Sequence, residues 1–291
     1  MGGTSLFFKP LMQLPPDIHE QVARALAEDI GTGDVTAALV PADAMAHARL
    51  VTREDMVLCG RAWFAETFRQ LDASIHIDWH GHDGHGFDAG AVLCEMHGPA
   101  RAILSGERCA LNFLQTLSGT ATITRQYVAA VAGTSCSILD TRKTLPGLRL
   151  AQKYAVRCGG GRNLRLGLYD MVLIKENHVI AAGGIAAAIQ AARRASPGVP
   201  VEVEVETPAE FAVALAAAPE VIMLDEFSLE DMRAAVAARN AAASTTRLEV
   251  SGGVTLDTVR GPATAGIDYV SVGALTKHLR AIDLSLRFRQ L

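Results

Sequence analysis

The sequence predicts an α/β protein: a small α+β unit, then a parallel β/α array that right-handed crossovers would curl into a full or incomplete barrel. Three observations carry that expectation. Of 291 residues, 49% are hydrophobic and 20% charged, enough to bury the core of one large domain or two. In the second half, short apolar runs alternate with alanine-rich helical patterns. Each of those runs also ends in unusual polar residues, as strands do where a barrel builds its functional rim.

The elements follow in order. The opening, MGGTSLFFKPLMQLPPD, lacks the basic start and long apolar run of a leader, and Leu6 stands where a myristoylation signal wants Ser or Thr. EDIGTGDVT, from Glu28 to Thr36, lacks the strand that a dinucleotide fingerprint needs, so Gly31 and Gly33 are expected in a turn. ARLVTRE around Leu50 and SIHIDWH around Ile77 read as strands, and RAWFAETFRQL from Arg61 to Leu71 as a helix. HGHDGHG places His80, His82 and His85 beside His76, without helical or strand spacing to aim the rings together. A surface loop is expected there in preference to a metal site. A helical pattern then runs from about Ala102 to Val131, with a break expected near Ser118 and Gly119.

Beyond it, strands are expected in SCSILD, DMVLIK, VEVEVE, VIMLDE, RLEVSGG and DYVSVG, with helices in GIAAAIQAARRA, PAEFAVALAAA and SLEDMRAAVAARN between them. Formal charge is −4, which supplies no global attraction to nucleic acid or to an anionic membrane, and no stretch is long and apolar enough to span one. The five cysteines are odd in number and widely spaced, without a CxxC pair, as expected of reduced thiols in a cytosolic protein. The informative charge is local. Between Asp140 and His178 stand Arg142, Lys143, Arg149, Lys153, Arg157, Arg162, Arg165 and Lys175 against Asp140, Asp170 and Glu176, whereas from Val201 to Glu230 there is no Lys or Arg at all.

Chemistry is read from the run ends. In DTRKTLPG, Arg142 and Lys143 suit a two-point grip on a planar carboxylate, or else a solvated turn before Pro146 and Gly147. Lys175 closes an apolar run, as an anion ligand or as a Schiff-base lysine. Arg157, Arg162 and Arg165 flank Gly159, Gly160 and Gly161, where backbone can approach a ligand; they read equally well as surface charges. VEVEVET puts valines on one face and Glu202, Glu204 and Glu206 on the other. In a barrel the glutamates would face the lumen and need a cation, with Asp225 on the next strand completing an Mg²⁺ site. The alternative is an edge strand with a wet glutamate face. SGGVT and VGALTKH offer free backbone N–H groups in two late loops, as phosphate sites or as plain turns.

Together these motifs resemble the quinolinate phosphoribosyltransferase (carboxylating nicotinate-nucleotide pyrophosphorylase) family. DTRKTLPGLR, QKYAVRCGGGRN, LIKENH, VEVEVET, LDEF, SGGV and VGALTKH occur in that order, with EDIGTGDVT and GERCALNFLQTLSG upstream, so the resemblance covers nearly the whole chain. It implies an N-terminal α/β sandwich domain over residues 1–118, on which the C-terminal tail packs back, and an open, seven-stranded, TIM-like α/β barrel over residues 119–291. It implies transfer of phosphoribosyl from phosphoribosyl pyrophosphate to quinolinate with decarboxylation, dependent on Mg²⁺, in a cytoplasmic homodimer. Arg142, Lys143, Arg165 and Lys175 would hold the diacid, with Arg108 reaching in from a partner subunit. Glu204 and Asp225 would face ribose and metal-bound pyrophosphate, and Ser251, Gly252, Gly253 and Gly273 would cradle the 5′-phosphate with Lys277 nearby. Lys143, Lys175, Glu204 and Asp225 are the residues expected to carry catalysis. The chain departs from the family pattern at Leu164, where Asn-His-Arg is usual. The alternatives weighed beside this one are a molybdenum-transport-associated relative of the same fold, a non-catalytic phosphate-ligand barrel, and a lysine aldolase.

Overall fold

A computed structural model describes residues 13–289, so the reading of the opening segment around Leu6 lies outside the described residues. Helix α1 (Ile18–Ile30) turns Val22 and Leu26 inward and stops at Gly31, whose φ of +53° suits a residue without a Cβ. The Gly33 N–H reaches the Ile30 carbonyl at 2.9 Å, and Asp34 accepts the N–H groups of Thr36 and Ala37, each at 2.9 Å, so Gly31 and Gly33 lie in a turn as expected, while Glu28–Ile30 complete the helix. Strands β1 (Met45–Thr52) and β2 (Met56–Val57), helix α2 (Arg61–Leu71), strands β3 (His76–Trp79), β4 (Gly86–Phe87) and β5 (Val92–Pro99), and helix α3 (Ala100–Ala130) follow.

The break expected at Ser118 and Gly119 does not occur, since both lie inside one continuous α3. Their roles are in packing. Ser118 Oγ accepts from the Cys59 N–H at 3.0 Å and donates to the Cys59 carbonyl at 3.1 Å, while a Cβ on Gly119 would collide with the Arg280 carbonyl. Small size at these positions serves close approach rather than interruption.

The chain continues through β6 (Ser137–Leu139), α4 (Arg149–Cys158), β7 (Val172–Ile174), α5 (Glu176–Ala182), α6 (Ile185–Ala195), β8 (Val201–Val205), α7 (Pro208–Ala217), β9 (Val221–Asp225), α8 (Leu229–Ala241), β10 (Arg247–Ser251), α9 (Arg260–Ala265), β11 (Tyr269–Ser271), α10 (Ala274–Lys277) and β12 (Leu284–Phe288). These elements fall into two compact units. One runs up to Arg125 and includes Thr144–Gly160 and the segment from Leu275 onward. Its antiparallel sheet has the order β12-β1-β5-β3, with Leu286 of β12 opposite Leu50 of β1. Phe64, Phe68, Leu93, Ile103 and Leu114 are buried against that sheet, and Trp63, Val22 and Tyr154 belong to a second apolar cluster of the same unit.

The other unit, Gln126–Lys143 with Gly161–Ala274, is the parallel β/α array. Its six strands have the order β6-β11-β10-β9-β8-β7, and a parallel bridge from Leu139 to Arg162 adds a seventh position one residue long. The sheet is therefore open, with β7 at one end and Arg162 at the other. β8 lies between β7 and β9, so the edge-strand alternative for VEVEVET is excluded. Val201, Val203 and Val205 are all buried, and so is Glu202, whereas Glu206 lies beyond the strand and is exposed. The strand stops there because Thr207 caps α7: its Oγ accepts the Glu210 N–H at 3.2 Å while the Glu210 carboxylate takes the Thr207 N–H.

Candidate active site

Six parallel strands deliver their carboxyl ends to one edge of the sheet, and the polar run ends of the sequence are found there. Lys175, immediately after β7, forms an ion pair with Glu204 Oε2 near the end of the neighbouring β8. The Glu204 side chain is only 9% exposed and Lys175 46%, so the pair is rooted in the sheet and open at the cation. The Lys175 N–H meets His178 Nδ1 at 3.1 Å, which ties the strand end to the start of α5.

Two glycines mark close approach along the same edge. A Cβ on Gly273, two residues after β11, would stand 3.0 Å from Lys143 Cδ and 3.6 Å from Thr141 Oγ1, so the lysine after β6 lies over that glycine. Gly252, after β10, has φ +89°, and a Cβ there would stand 3.0 Å from Asp225 Oδ1 at the end of β9. Register agrees, since Ser251 pairs with Asp225. Gly253 also has positive φ, +56°, and both loop glycines are exposed. Glu226, though not glycine, holds φ +56° beside them, a conformation that costs a side chain on the order of 1 kcal/mol.

Asp140 is a positioning residue that run-end reading did not single out. Its carboxylate is fully buried and accepts Asn163 Nδ2 at 2.5 Å and the Leu164 N–H at 3.1 Å. It thus fixes the turn leading to Arg165 through backbone, whatever side chain position 164 carries; Leu164 itself is half-buried. The available signal was an aspartate that directly ends an apolar run, masked by the more conspicuous Arg142 and Lys143. Arg142 has its Nε buried without a hydrogen-bond partner, as suits a guanidinium held for a ligand anion.

Below this edge Glu202 on β8 and Glu249 on β10 are both buried, and each carboxyl lies within electrostatic reach of the other. Burial pushes Glu202 up to about 7, against the pull of Arg165; the nearby Glu204 pushes the same way as burial. Burial followed by the charge of Glu202 raises Glu249 as well, so at least one of the two stays protonated near neutral pH. Buried Ser271 lies beside Glu249 and works against that rise through a side-chain hydrogen bond.

Oxygen donors suit a hard cation such as Mg²⁺. Glu176, Glu204 and Glu206 each offer an oxygen within 4.8 Å of the others, and Asp225 is not a member of that trio. Glu206 is one of the three glutamates that VEVEVET offers to a cation, whereas Glu176, at the start of α5, has no such role in the sequence analysis. Of the remaining predicted residues, Arg108 is exposed on α3 and Lys277 is exposed at the end of α10, both in the antiparallel unit. The four loop histidines, His76, His80, His82 and His85, are all exposed; His76 lies on β3 rather than in the loop.

Residues 120–287 match the family model of the quinolinate phosphoribosyl transferase C-terminal domain, and residues 34–118 that of its N-terminal domain. A probable carboxylating nicotinate-nucleotide pyrophosphorylase of Bacillus subtilis is 42% identical over 260 residues, 89% of each chain. A carboxylating nicotinate-nucleotide pyrophosphorylase of Mycobacterium leprae is 42% identical over 275 residues, 92% of this chain and 96% of that one. The solved nicotinate-nucleotide pyrophosphorylase of Francisella tularensis superposes with a TM-score of 0.91 at 46% identity, covering 97% of this chain and all of that one.

Proposed function

This chain belongs to the quinolinate phosphoribosyltransferase family, and from that premise we propose how its carboxyl-end rim performs the reaction. The activity is transfer of phosphoribosyl from phosphoribosyl pyrophosphate to quinolinate with decarboxylation, in the de novo route to NAD. The observation that carries the site assignment is the single sheet edge on which the Lys175–Glu204 pair, Lys143 over Gly273, and Asp225 against Gly252 all sit.

Arg142, Lys143, Arg165 and Lys175 hold the two carboxylates of quinolinate, Arg142 through its planar fork and the lysines as point charges. Glycines at 252, 253 and 273, with Ser251, present backbone N–H groups to the 5′-phosphate, and the close approaches at Gly252 and Gly273 account for the lack of side chains. The pyridine nitrogen, once oriented, attacks the anomeric carbon as pyrophosphate departs. Glu204 and Asp225 face the positive charge that grows on the ribosyl centre and stabilise it electrostatically. The electron pair released when the adjacent carboxylate leaves as CO₂ stays on that ring carbon, where the positive charge of the neighbouring quaternised nitrogen stabilises it until a proton from solvent is taken up there, with Lys175 and Arg165 maintaining the ring's position. Mg²⁺, when bound, supplies neutralisation of the pyrophosphate leaving group; Glu204 and Asp225 are the residues proposed to hold it, with Glu176 and Glu206 within reach of Glu204.

Lys175 is half exposed and committed to Glu204, which fits an anion ligand better than a desolvated Schiff-base lysine. Arg108 and Lys277 are assigned to substrate by family resemblance, Arg108 across a homodimer. The domain division at residues 118 and 119, which falls within α3, is proposed on the same resemblance, and a cytoplasmic setting rests on five free, buried thiols.

The test is a product assay. Incubation with quinolinate, phosphoribosyl pyrophosphate and Mg²⁺ yields nicotinate mononucleotide and CO₂; binding of both ligands without product would instead mark a non-catalytic barrel. Arg142→Ala is expected to weaken quinolinate binding by about 1.5–3 kcal/mol, the worth of a charged hydrogen bond. Unchanged affinity in a titration of that variant would remove Arg142 from the site.

A further inference from the structure

The antiparallel unit holds a second group of chemistry-bearing side chains that the reaction does not use. We propose that Cys59, Asp83 and Cys158 form a binding site for a thiophilic divalent cation of the zinc class. Their Sγ atoms and one carboxylate oxygen lie within 4.8 Å of one another. In a tetrahedral zinc site with Zn–S near 2.3 Å, sulfur atoms stand roughly 3.8 Å apart, so the observed cluster needs to close by about 1 Å at most.

The three ligands come from distant segments, and hydrogen bonds outside the cluster hold each in place. Cys59 is anchored at both its N–H and its carbonyl by Ser118 Oγ. Asp83 is oriented from two sides, by the Arg61 N–H at 3.3 Å and by Tyr154 OH donating to Oδ2 at 2.8 Å. Backbone bonds between Leu58 and the Gly84–His85 turn, at 2.8 and 2.9 Å, clamp the Asp83 loop to the Cys59 segment. Arg125 then ties the remaining segments together, donating to the carbonyls of Gly84, Cys158 and Gly159 at 3.0–3.2 Å. Outer bonds of this kind fix ligand orientation in protein metal sites, and the Arg125 cation lies beside a ligand set that becomes anionic on metal binding.

The chemistry favours a soft cation over the oxygen-loving ones. Cys59 is fully buried and Cys158 nearly so, and burial keeps the Cys59 thiol protonated in the absence of a cation. Metal binding would form two metal–sulfur bonds and release the two thiol protons to solvent. Of HGHDGHG, the central aspartate thus contributes, while its exposed histidines stay outside.

The test uses Co²⁺ as a spectroscopic probe on the full chain under reducing conditions. One equivalent is expected to give an intense thiolate-to-cobalt charge-transfer band, which the carboxylates at Glu204 cannot produce. Zn²⁺ should displace it and raise the thermal midpoint, and a chelator should reverse both. Cys158→Ser should abolish the band, and Asp83→Asn, which keeps both thiols, should weaken binding 10- to 100-fold. No charge-transfer band in the unsubstituted chain, or a band that persists in Cys158→Ser, overturns the proposal. So does capture of Cys59 and Cys158 as a disulfide that saturating Zn²⁺ fails to prevent.

Discussion

Glu204 and Glu202 stand two residues apart on the same face of β8, and their nearest partners differ. Glu204, at the carboxyl rim, meets the Lys175 ammonium; Glu202, one pleat deeper, meets the carboxyl of Glu249. The rim thus pairs a carboxylate with a cation, while the floor beneath it is held partly neutral by burial.

The sharpest way to break this comparison is at the rim. Lys175→Met leaves Glu204 without its cation and removes one of the proposed ligands of the diacid. The expected loss in kcat/KM is on the order of 10²–10³, or about 3–4 kcal/mol, from a preorganised charge in the site. Full activity in steady-state assays of that variant would show the rim pair to be structural only.

At the floor the measurement is stability against pH. Folding raises the Glu202 carboxyl from its ordinary value to about 7, so the protonated form is favoured in the native state. The stability it contributes is complete below the unfolded value and declines as pH rises through about 7, with a slope of up to roughly 1.4 kcal/mol per pH unit. Glu249, raised as well, extends the decline. Denaturant unfolding of Glu202→Gln should show a flatter profile between pH 5 and 7; an unaltered slope would assign the pH dependence elsewhere.

The smallest expected effect lies at the loop beyond the strand ends that meets Asp225. Gly252→Ala places a Cβ at φ +89° and 3.0 Å from Asp225 Oδ1. A cost of about 1 kcal/mol in stability is expected from the backbone alone, together with a raised KM for phosphoribosyl pyrophosphate. An unchanged KM would detach that glycine from phosphate binding.

The alternation of apolar runs with alanine-rich helices was sufficient to place the six parallel strands, because periodicity and turn chemistry are local properties. Their polar ends were sufficient to mark the rim, since parallel strands all end on one side. The charge segregation from Asp140 to His178 and from Val201 to Glu230 meets in one observed contact, the pair of Lys175 from the first segment with Glu204 from the second. Tertiary structure alone decided the rest. That Ser118 and Gly119 pack inside an unbroken helix depends on Cys59 and Arg280, which are far away in sequence. That Asp140 shapes the turn before Arg165, that Glu202 is buried beside Glu249, and that Asp83 reaches Cys59 and Cys158 all depend on which distant side chain arrives beside a given one. A sequence states the character of each residue, but charge state and ligation are properties of neighbourhoods, and only folding assembles those.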